Sequence, residues 1–594
     1  MTLAELLSFY EKRKSTFTSS LNTKKKSILL VSNLRVITAL CFLALLYLSF
    51  SNTYWLLTAL PFLVVFFVLV KRHGVLFDEK IHLENLVTIN DREARSLNGD
   101  ISFFADGASF VDPHHPYTHD LDIFGEGSLF QAVNRCNTID GQKVMAFRLS
   151  SPLHNDTDIR SCQDAVRELG GATDFRQHFQ AAGMEIDEQP HDKEQLLAWL
   201  NVPSFLYSKP GVKALLIILP SLTLAFLIAA FFFSGAKAVA ILLALIQWVI
   251  LGFYIKRINA FHEYISRKKY ILEKYAKILH VLQKEKFTSP RLQQLTSRAH
   301  EADVKVKSLA TLVSSLNARL NAMTTLVVNS LLMYDMQCVY RLEKWKHENS
   351  ANLKTWLDVI SETEVLGSMG TFSFNHPSFV FARIDPALNI RATGLGHPLI
   401  PENECVANDV HLGKDQSILI ITGANMAGKS TFLRTIGSNL VLALSGAPVC
   451  AREFQCPVIN MRSGMRTADS LKDHQSYFYA ELNRLKTIMD ELRSDKPLFI
   501  LLDEILKGTN STDKQSGSIA LVRQLLPHPC LALIATHDLA LGDLEKEYPN
   551  RIRNYCFEAT IENDQLSFDY KLKTGLAQKM NATFLMKKMG IIPA

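Results

Sequence analysis

Between Arg35 and Lys71 the chain carries no charged side chain, and few folds can accommodate such a run. It breaks once, at Ser51-Asn52-Thr53, a polar cluster of the kind that forms turns. On either side lie Val36–Phe50 and Tyr54–Val70, each slightly short of the roughly 20 residues that cross a hydrocarbon core. Both are apolar on every face, whereas a helix of a soluble core normally keeps a polar stripe. A transmembrane hairpin over 36–70 is the expectation. A second pair follows much later. Ala214–Phe233 is long enough to span and Ala238–Ile255 nearly so, with Ser234-Gly235-Ala236-Lys237 between them. Pro220 falls inside the third segment, where membrane helices tolerate a kink.

The flanking charges orient both hairpins in the same way. Lys24, Lys25, Lys26 and Arg35 precede the first segment, and Lys71 and Arg72 follow the second. Lys209 and Lys213 precede the third; Lys256, Arg257, Arg267, Lys268 and Lys269 follow the fourth. Lys237 is the only charge in either short turn. Positive charge collects on the cytoplasmic side, so both turns face outward and all the large segments face the cytoplasm. The expected location is the inner or plasma membrane, multi-pass, with the N-terminus cytoplasmic. The apolar run starts too late, and lacks the small-residue site, for a cleaved signal peptide. These flanks largely account for the net charge of +6 (64 basic against 58 acidic residues), which is therefore no separate sign of nucleic-acid binding. Nine cysteines without a C-x-x-C spacing argue against a zinc cage and read as reduced thiols.

At 594 residues several domains are expected. The divisions are a basic N-terminal tail (1–35), hairpin one (36–70), a cytoplasmic segment (72–213), hairpin two (214–255), a helical region (256–384) and a C-terminal region (385–594). Apolar residues at three-to-four spacing mark the helical region. From Asp385 short apolar strands alternate with helices, the pattern of an α/β domain on a mainly parallel sheet.

The C-terminal region carries the chemistry. Ser417–Thr422 is a short β-branched run, as in a buried strand, and Gly423-Ala424-Asn425-Met426-Ala427-Gly428-Lys429-Ser430-Thr431 follows directly. This is G-x-x-x-x-G-K-S leading into a helical pattern. Glycines let backbone N–H groups close around phosphates, and the helix N-terminus adds positive potential. Lys429 reaches the β/γ phosphates of ATP and the Ser430 hydroxyl ligates Mg²⁺. Downstream, Pro497–Leu502 leads to Asp503 and Glu504 at a strand end. Asp503 can hold the Mg²⁺ shell and Glu504 can activate water as general base. A third strand, Leu531–Thr536, ends in His537, placed to sense the γ-phosphate or orient water.

Four stretches, TGANMAGKSTFLRTIG (422–437), LLDEILKGTNSTDKQSG (501–517), ATHDLALGDLE (535–545) and FDYKLKTGLAQKMNATFLMKKMG (568–590), closely resemble the ATPase domain of the MutS DNA mismatch-repair family. The resemblance implies that Asn425 lies near the γ-phosphate and that His537 is a switch histidine. It also implies that Gly508–Asp513 lies at a homodimer interface near the nucleotides. His474–Glu481 resembles a segment that completes the site across the dimer, with Tyr477 in place of the usual Thr. Upstream, 127–153, 159–169 and 356–369 resemble parts of the family's lever or core domain. The implied fold class is a multidomain membrane protein with two transmembrane helical hairpins, a mostly α-helical lever/core domain and a C-terminal α/β P-loop (ABC-like) ATPase domain.

The departures bear on function. Before Leu121 there is no room for mismatch-reading and connector domains. Phe124-Gly125-Glu126 spells the reader's Phe-x-Glu but sits at the start of the lever-like segment. The clamp helices are cut short around Lys284–Val304, and hairpin two interrupts the lever. The expected function is thus a membrane-anchored MutS-like ATPase whose ATP hydrolysis moves the lever. DNA binding of the mismatch-repair kind is implied by the family, but its DNA-contacting parts are missing or shortened. An ABC-type transport ATPase is the alternative. However, no Leu-Ser-Gly-Gly-Gln precedes the acidic strand, and no span holds an acidic or basic residue to mark a pathway. A non-hydrolysing membrane scaffold is a further alternative, opposed by the intact Lys429, Asp503 and Glu504.

Overall fold

The chain begins with a capping box. The Thr2 hydroxyl accepts from the Glu5 amide at 3.3 Å and the Glu5 carboxylate accepts from the Thr2 amide at 2.8 Å. From that start α1 (Leu3–Ser49) runs unbroken for 47 residues and turns back into α2 (Tyr54–Ser96). In this computed structural model, which describes residues 1–52, 54–320, 322–466, 477–494, 496–562 and 565–578, the basic stretch 1–35 is thus no separate tail. It is the basic half of the helix whose other half is the first apolar segment. Lys14 and Lys24 pair with Asp91 and Glu79 across the hairpin, at 2.8 and 2.5 Å. Part of the basic flank is therefore answered by acids on α2.

Short helices follow: α3 (Leu129–Val133), α4 (Ile139–Ser150), α5 (Asp156–Gly171), α6 (Thr173–Gly183) and α7 (Asp192–Leu200). The second apolar pair is α8 (Val212–Ala229) and α9 (Ala236–Ile265), so the third segment ends earlier than the sequence pattern suggests. Phe231, Phe232 and Phe233 lie in the exposed turn after it. α1, α2, α8 and α9 are each long and apolar enough to cross a membrane. Beyond them, α10 (Lys269–Lys284), α11 (Pro290–Arg298), α12 (Ala302–Asn317) and α13 (Ala322–Leu332) lead to α14 (Tyr334–Asn375), a 42-residue helix. α14 packs on α4, α5 and α12 and is the spine of the helical core.

The α/β part starts at β1 (Val380–Phe381) and β2 (Arg383–Ile384), a few residues before the expected boundary, and continues with β3 (Ile390–Leu395) and β4 (Asn408–Leu412). Then come β5 (Ile418–Gly423), α15 (Lys429–Ser445), β6 (Pro448–Val449), β7 (Glu453–Cys456), β8 (Asn460–Gly464), α16 (Tyr477–Leu492) and β9 (Leu498–Asp503). α17 (Ser511–Leu525), β10 (Cys530–Thr536), α18 (Leu544–Glu547), β11 (Ile552–Glu562) and β12 (Gln565–Thr574) complete it. The main sheet has the order β12-β11-β5-β10-β9-β8 and is parallel except for the β11/β12 pair. β5 and β10 are buried along their whole length, which is why their sequences read as continuous apolar runs rather than alternating ones.

One sheet face joins the helical core. α15 lies between the sheet and the segment around Leu121, so close that a Cβ on Gly437 would meet Leu121 and Leu501 side chains at 2.8 and 2.9 Å. Asp120 locks this contact. Its fully buried carboxylate accepts from Ser463 Oγ, the Met465 and Arg466 amides and Arg484 Nη2, at 2.7 to 3.1 Å. Phe124 packs with Phe110 and Phe130, a core role for the Phe-x-Glu residue.

Candidate functional site

β5, β10 and β9 are neighbouring parallel strands in tight register: Thr422 pairs with Thr536, and Ala535 with Asp503. Their carboxyl ends therefore open at one edge of the sheet, where open α/β sheets place ligands. The loop after β5, the acids after β9 and the histidine after β10 meet there. These are the residues singled out from sequence, brought together by strand order.

The loop Gly423–Gly428 is shaped by its glycines. Gly423 has φ 152°, and a Cβ there would lie 2.6 Å from the Phe557 carbonyl oxygen on β11. Gly428 has φ 107° and caps α15; a Cβ there would meet the Tyr570 ring at 3.1 Å. Between them Met426 adopts a left-handed φ of 67° and is largely exposed, as is Asn425, while Ala427 is buried. Ala424 is half-buried, and Thr431, one turn into α15, is exposed.

Lys429 is buried, and its Nζ donates to the Gly423 and Ala424 carbonyls at 2.7 and 3.0 Å. Burial pulls its pKa down, against the opposing pull of Glu504 and Asp503. Ser430 Oγ donates to Asp503 Oδ2 at 2.5 Å, bringing a hydroxyl at the start of α15 to a carboxylate at the end of β9. Glu504 is held in a left-handed conformation, φ 55°, by its own amide donating to the Ala535 carbonyl at 2.8 Å. Its carboxylate lies 3.5 Å from His537 Nδ1 and 3.9 Å from Lys507 Nζ. Lys514 Nζ approaches the other His537 ring nitrogen at 3.5 Å.

The structure places further individual residues that sequence reading named only as parts of longer stretches. Tyr570 sits on β12 with φ 51° and places its partly exposed ring beside Gly428. Only its membership of the 568–590 stretch hinted at it. Glu481 on α16 accepts the Leu506 amide at 2.6 Å, which fixes the backbone just after Glu504. Its other oxygen is buried with no partner among the described residues, and burial raises its pKa. The loop carrying Gly508 packs on Phe478, close enough that a Cβ on Gly508 would meet Phe478 Cβ at 2.9 Å. His474, Gln475 and Ser476 of the composite-site segment, and the end of the 568–590 stretch, lie outside the described residues.

Residues 419–593 match the family model for MutS domain V. Over this stretch the chain is similar to MutS. The DNA mismatch repair protein MutS of Thermotoga petrophila is 30% identical over 37% of this chain and 27% of its own length. MutS of Halalkalibacterium halodurans is 30% identical over 40% of the chain and 28% of its own length. The endonuclease MutS2 of Clostridium kluyveri is 28% identical over 43% and 32%. The chain thus spans about a third or less of the length of these curated relatives. The MutS likeness lies where the loop, the acids and His537 converge.

Proposed function

We propose that this MutS-like chain is a membrane-anchored ATP hydrolase that works as a homodimer. The observation that carries this reading is the meeting of three strand ends, with Ser430 on Asp503 and Glu504 beside His537. The residues suit ATP with Mg²⁺: a glycine loop opening onto a helix N-terminus for phosphates, and a hydroxyl next to a carboxylate for a hard cation. The bound nucleotide supplies a phosphoanhydride bond whose cleavage is the chemistry. Gly423–Thr431 would then bind the phosphates and Lys429 would bring its charge to them. Ser430 and Asp503 would hold the metal. Glu504, beside Lys507 and His537 yet partly exposed, would take a proton from the attacking water, and His537 would orient Glu504. Tyr570 offers an aromatic face beside the loop on which the base can stack.

α1/α2 and α8/α9 are read as two transmembrane hairpins with their turns outward, in an inner or plasma membrane. The support is their exposed apolar surface together with the basic flanks. The helical region and its α14 spine would serve as the lever, which hydrolysis moves. DNA is retained as a candidate partner because the relatives are named mismatch repair proteins.

The test is the ATPase rate of detergent-solubilised protein, with and without homoduplex, mismatched and branched DNA. Glu504→Gln is expected to lower turnover by about 10²- to 10⁴-fold with nucleotide still bound, and Lys429→Ala to weaken nucleotide binding. Parent-level turnover in Glu504→Gln would refute the base assignment. Rates indifferent to every DNA across a salt series would remove nucleic acid from the function.

A further inference from the structure

α13 does not resemble the rest of the helical core. From Leu320 to Tyr334 the chain has no charged residue, and a charge stands at each end, Arg319 and Asp335. These two pair with each other: Arg319 Nε lies 2.9 Å from Asp335 Oδ2, with side chains 10% and 0% exposed. The apolar stretch therefore leaves and returns to one point. At about 1.5 Å per residue an 11-residue helix covers roughly half of a ~30 Å hydrocarbon core, too little to cross and enough to enter.

Its surroundings are the second apolar hairpin. α13 packs on α8 and α9. Trp248 on α9 donates its indole N–H to Ser330 Oγ at 2.8 Å, and Gln337 Nε2 bridges the Leu332 and Leu216 carbonyls at 2.8 and 3.3 Å. Several polar groups of the stretch are answered within it or at its ends. Thr325 Oγ1 donates to the Arg319 carbonyl, Ser330 Oγ to the Leu326 carbonyl, and Asn329 Oδ1 accepts the Asp335 amide. What remains outward is apolar: Leu320 is 77% exposed, Leu326 60% and Val327 51%. A water-facing helix tip would not leave such a patch open, whereas a segment seated among acyl chains presents apolar side chains to them.

We infer that α13 and the turn after it, residues 322–333, form a re-entrant segment that inserts beside α8 and α9 into the acyl-chain region of the same bilayer and leaves by the face it entered. The inference rests on the membrane reading of α8 and α9. The left-handed turn at Met333, φ 47°, then hands the chain directly to α14, so one end of the 42-residue spine is seated at the membrane surface.

The test places a diazirine-bearing leucine analogue at Leu326 or Val327 of the full chain in phosphatidylethanolamine/phosphatidylglycerol vesicles, irradiates, and reads phospholipid adducts by mass spectrometry. Leu224, exposed on α8, is the membrane reference, and Val304, exposed near the start of α12, the aqueous one. Adducts at 326 and 327 comparable to 224, with none at 304, are expected. Adducts at 224 but none at 326 and 327, or cross-links there to a second copy of the chain instead of lipid, would overturn the re-entrant segment alone. Absence of adducts at 224 as well would overturn the membrane reading and this inference with it.

Discussion

Glu93→Ala should unfasten the open end of the first hairpin, away from its turn, from the helical core. Glu93 lies near the end of α2 with its side chain 2% exposed, and pairs with Arg135, itself 6% exposed. Both guanidinium donors are used, Nε at 2.5 Å and Nη2 at 3.2 Å. Asn375, the last residue of α14, donates to the same carboxylate at 2.8 Å and accepts from the Tyr10 hydroxyl of α1 at 2.7 Å. One carboxylate thus joins α1, α2, α14 and the loop after α3. Removing it leaves a buried cation and a buried amide without their acceptor, a loss of about 3–5 kcal/mol for a broken buried pair. Arg135 keeps two backbone carbonyl acceptors at 3.0 Å and its stacking on Phe104 at 3.5 Å, which puts the cost at the lower end, about 3 kcal/mol. At 1.4 kcal/mol per decade this is roughly a hundredfold rise in local opening. Hydrogen exchange of the purified protein reads it as lost protection in the α2 amides around Leu86–Ser96 and the α1 amides around Leu6–Arg13. Unchanged protection in both would show that the pair does not hold the hairpin. Replacing Glu93 and Arg135 together by Leu and Met should restore part of the protection, because it removes the orphaned charge while the Asn375 amide still lacks its acceptor.

Gly423→Ala should destabilise the C-terminal domain by about 3 kcal/mol or more, since the backbone is strained for any Cβ and the obstacle at 2.6 Å is a strand carbonyl that cannot swing away; thermal unfolding reads it. Gly74→Ala, inside α2 with nothing near a new Cβ, should instead stabilise by about 0.5–1 kcal/mol in the same assay. Burial lifts the Glu364 carboxyl to about 7, above its ordinary value. Its stabilising contribution is therefore complete below the unfolded value of 4.5 and lost as pH rises through about 7. Melting temperature should fall between pH 5 and 8, and Glu364→Gln should flatten that part of the profile. Glu481→Ala frees the Leu506 amide and should slow ATP turnover by misplacing Glu504, whereas Glu481→Gln, which keeps an acceptor, should recover most of it.

The sequence determined what depends on neighbours along the chain. A strand that must be buried on both faces reads as a continuous apolar run, so β5, β9 and β10 were legible. A loop that must turn sharply into a helix needs glycine at fixed offsets, so Gly423–Ser430 was legible too. The membrane candidates showed themselves by length and lack of charge. Helix extent was less legible: α1 and α2 continue far past their apolar halves because amphipathic helix and apolar helix join without a break. Tertiary structure decided what depends on strand order and long-range approach. Asp503 meets Ser430 and Glu504 meets His537 because β10 lies between β5 and β9, an order no local pattern encodes. Tyr570 reaches Gly428 because β11 and β12 fold back against β5. Arg319 and Asp335 enclose an apolar loop only once α12 and α14 are side by side. Each of these contacts joins residues whose separation in sequence carries no periodic signal, so only the packed chain brings them together.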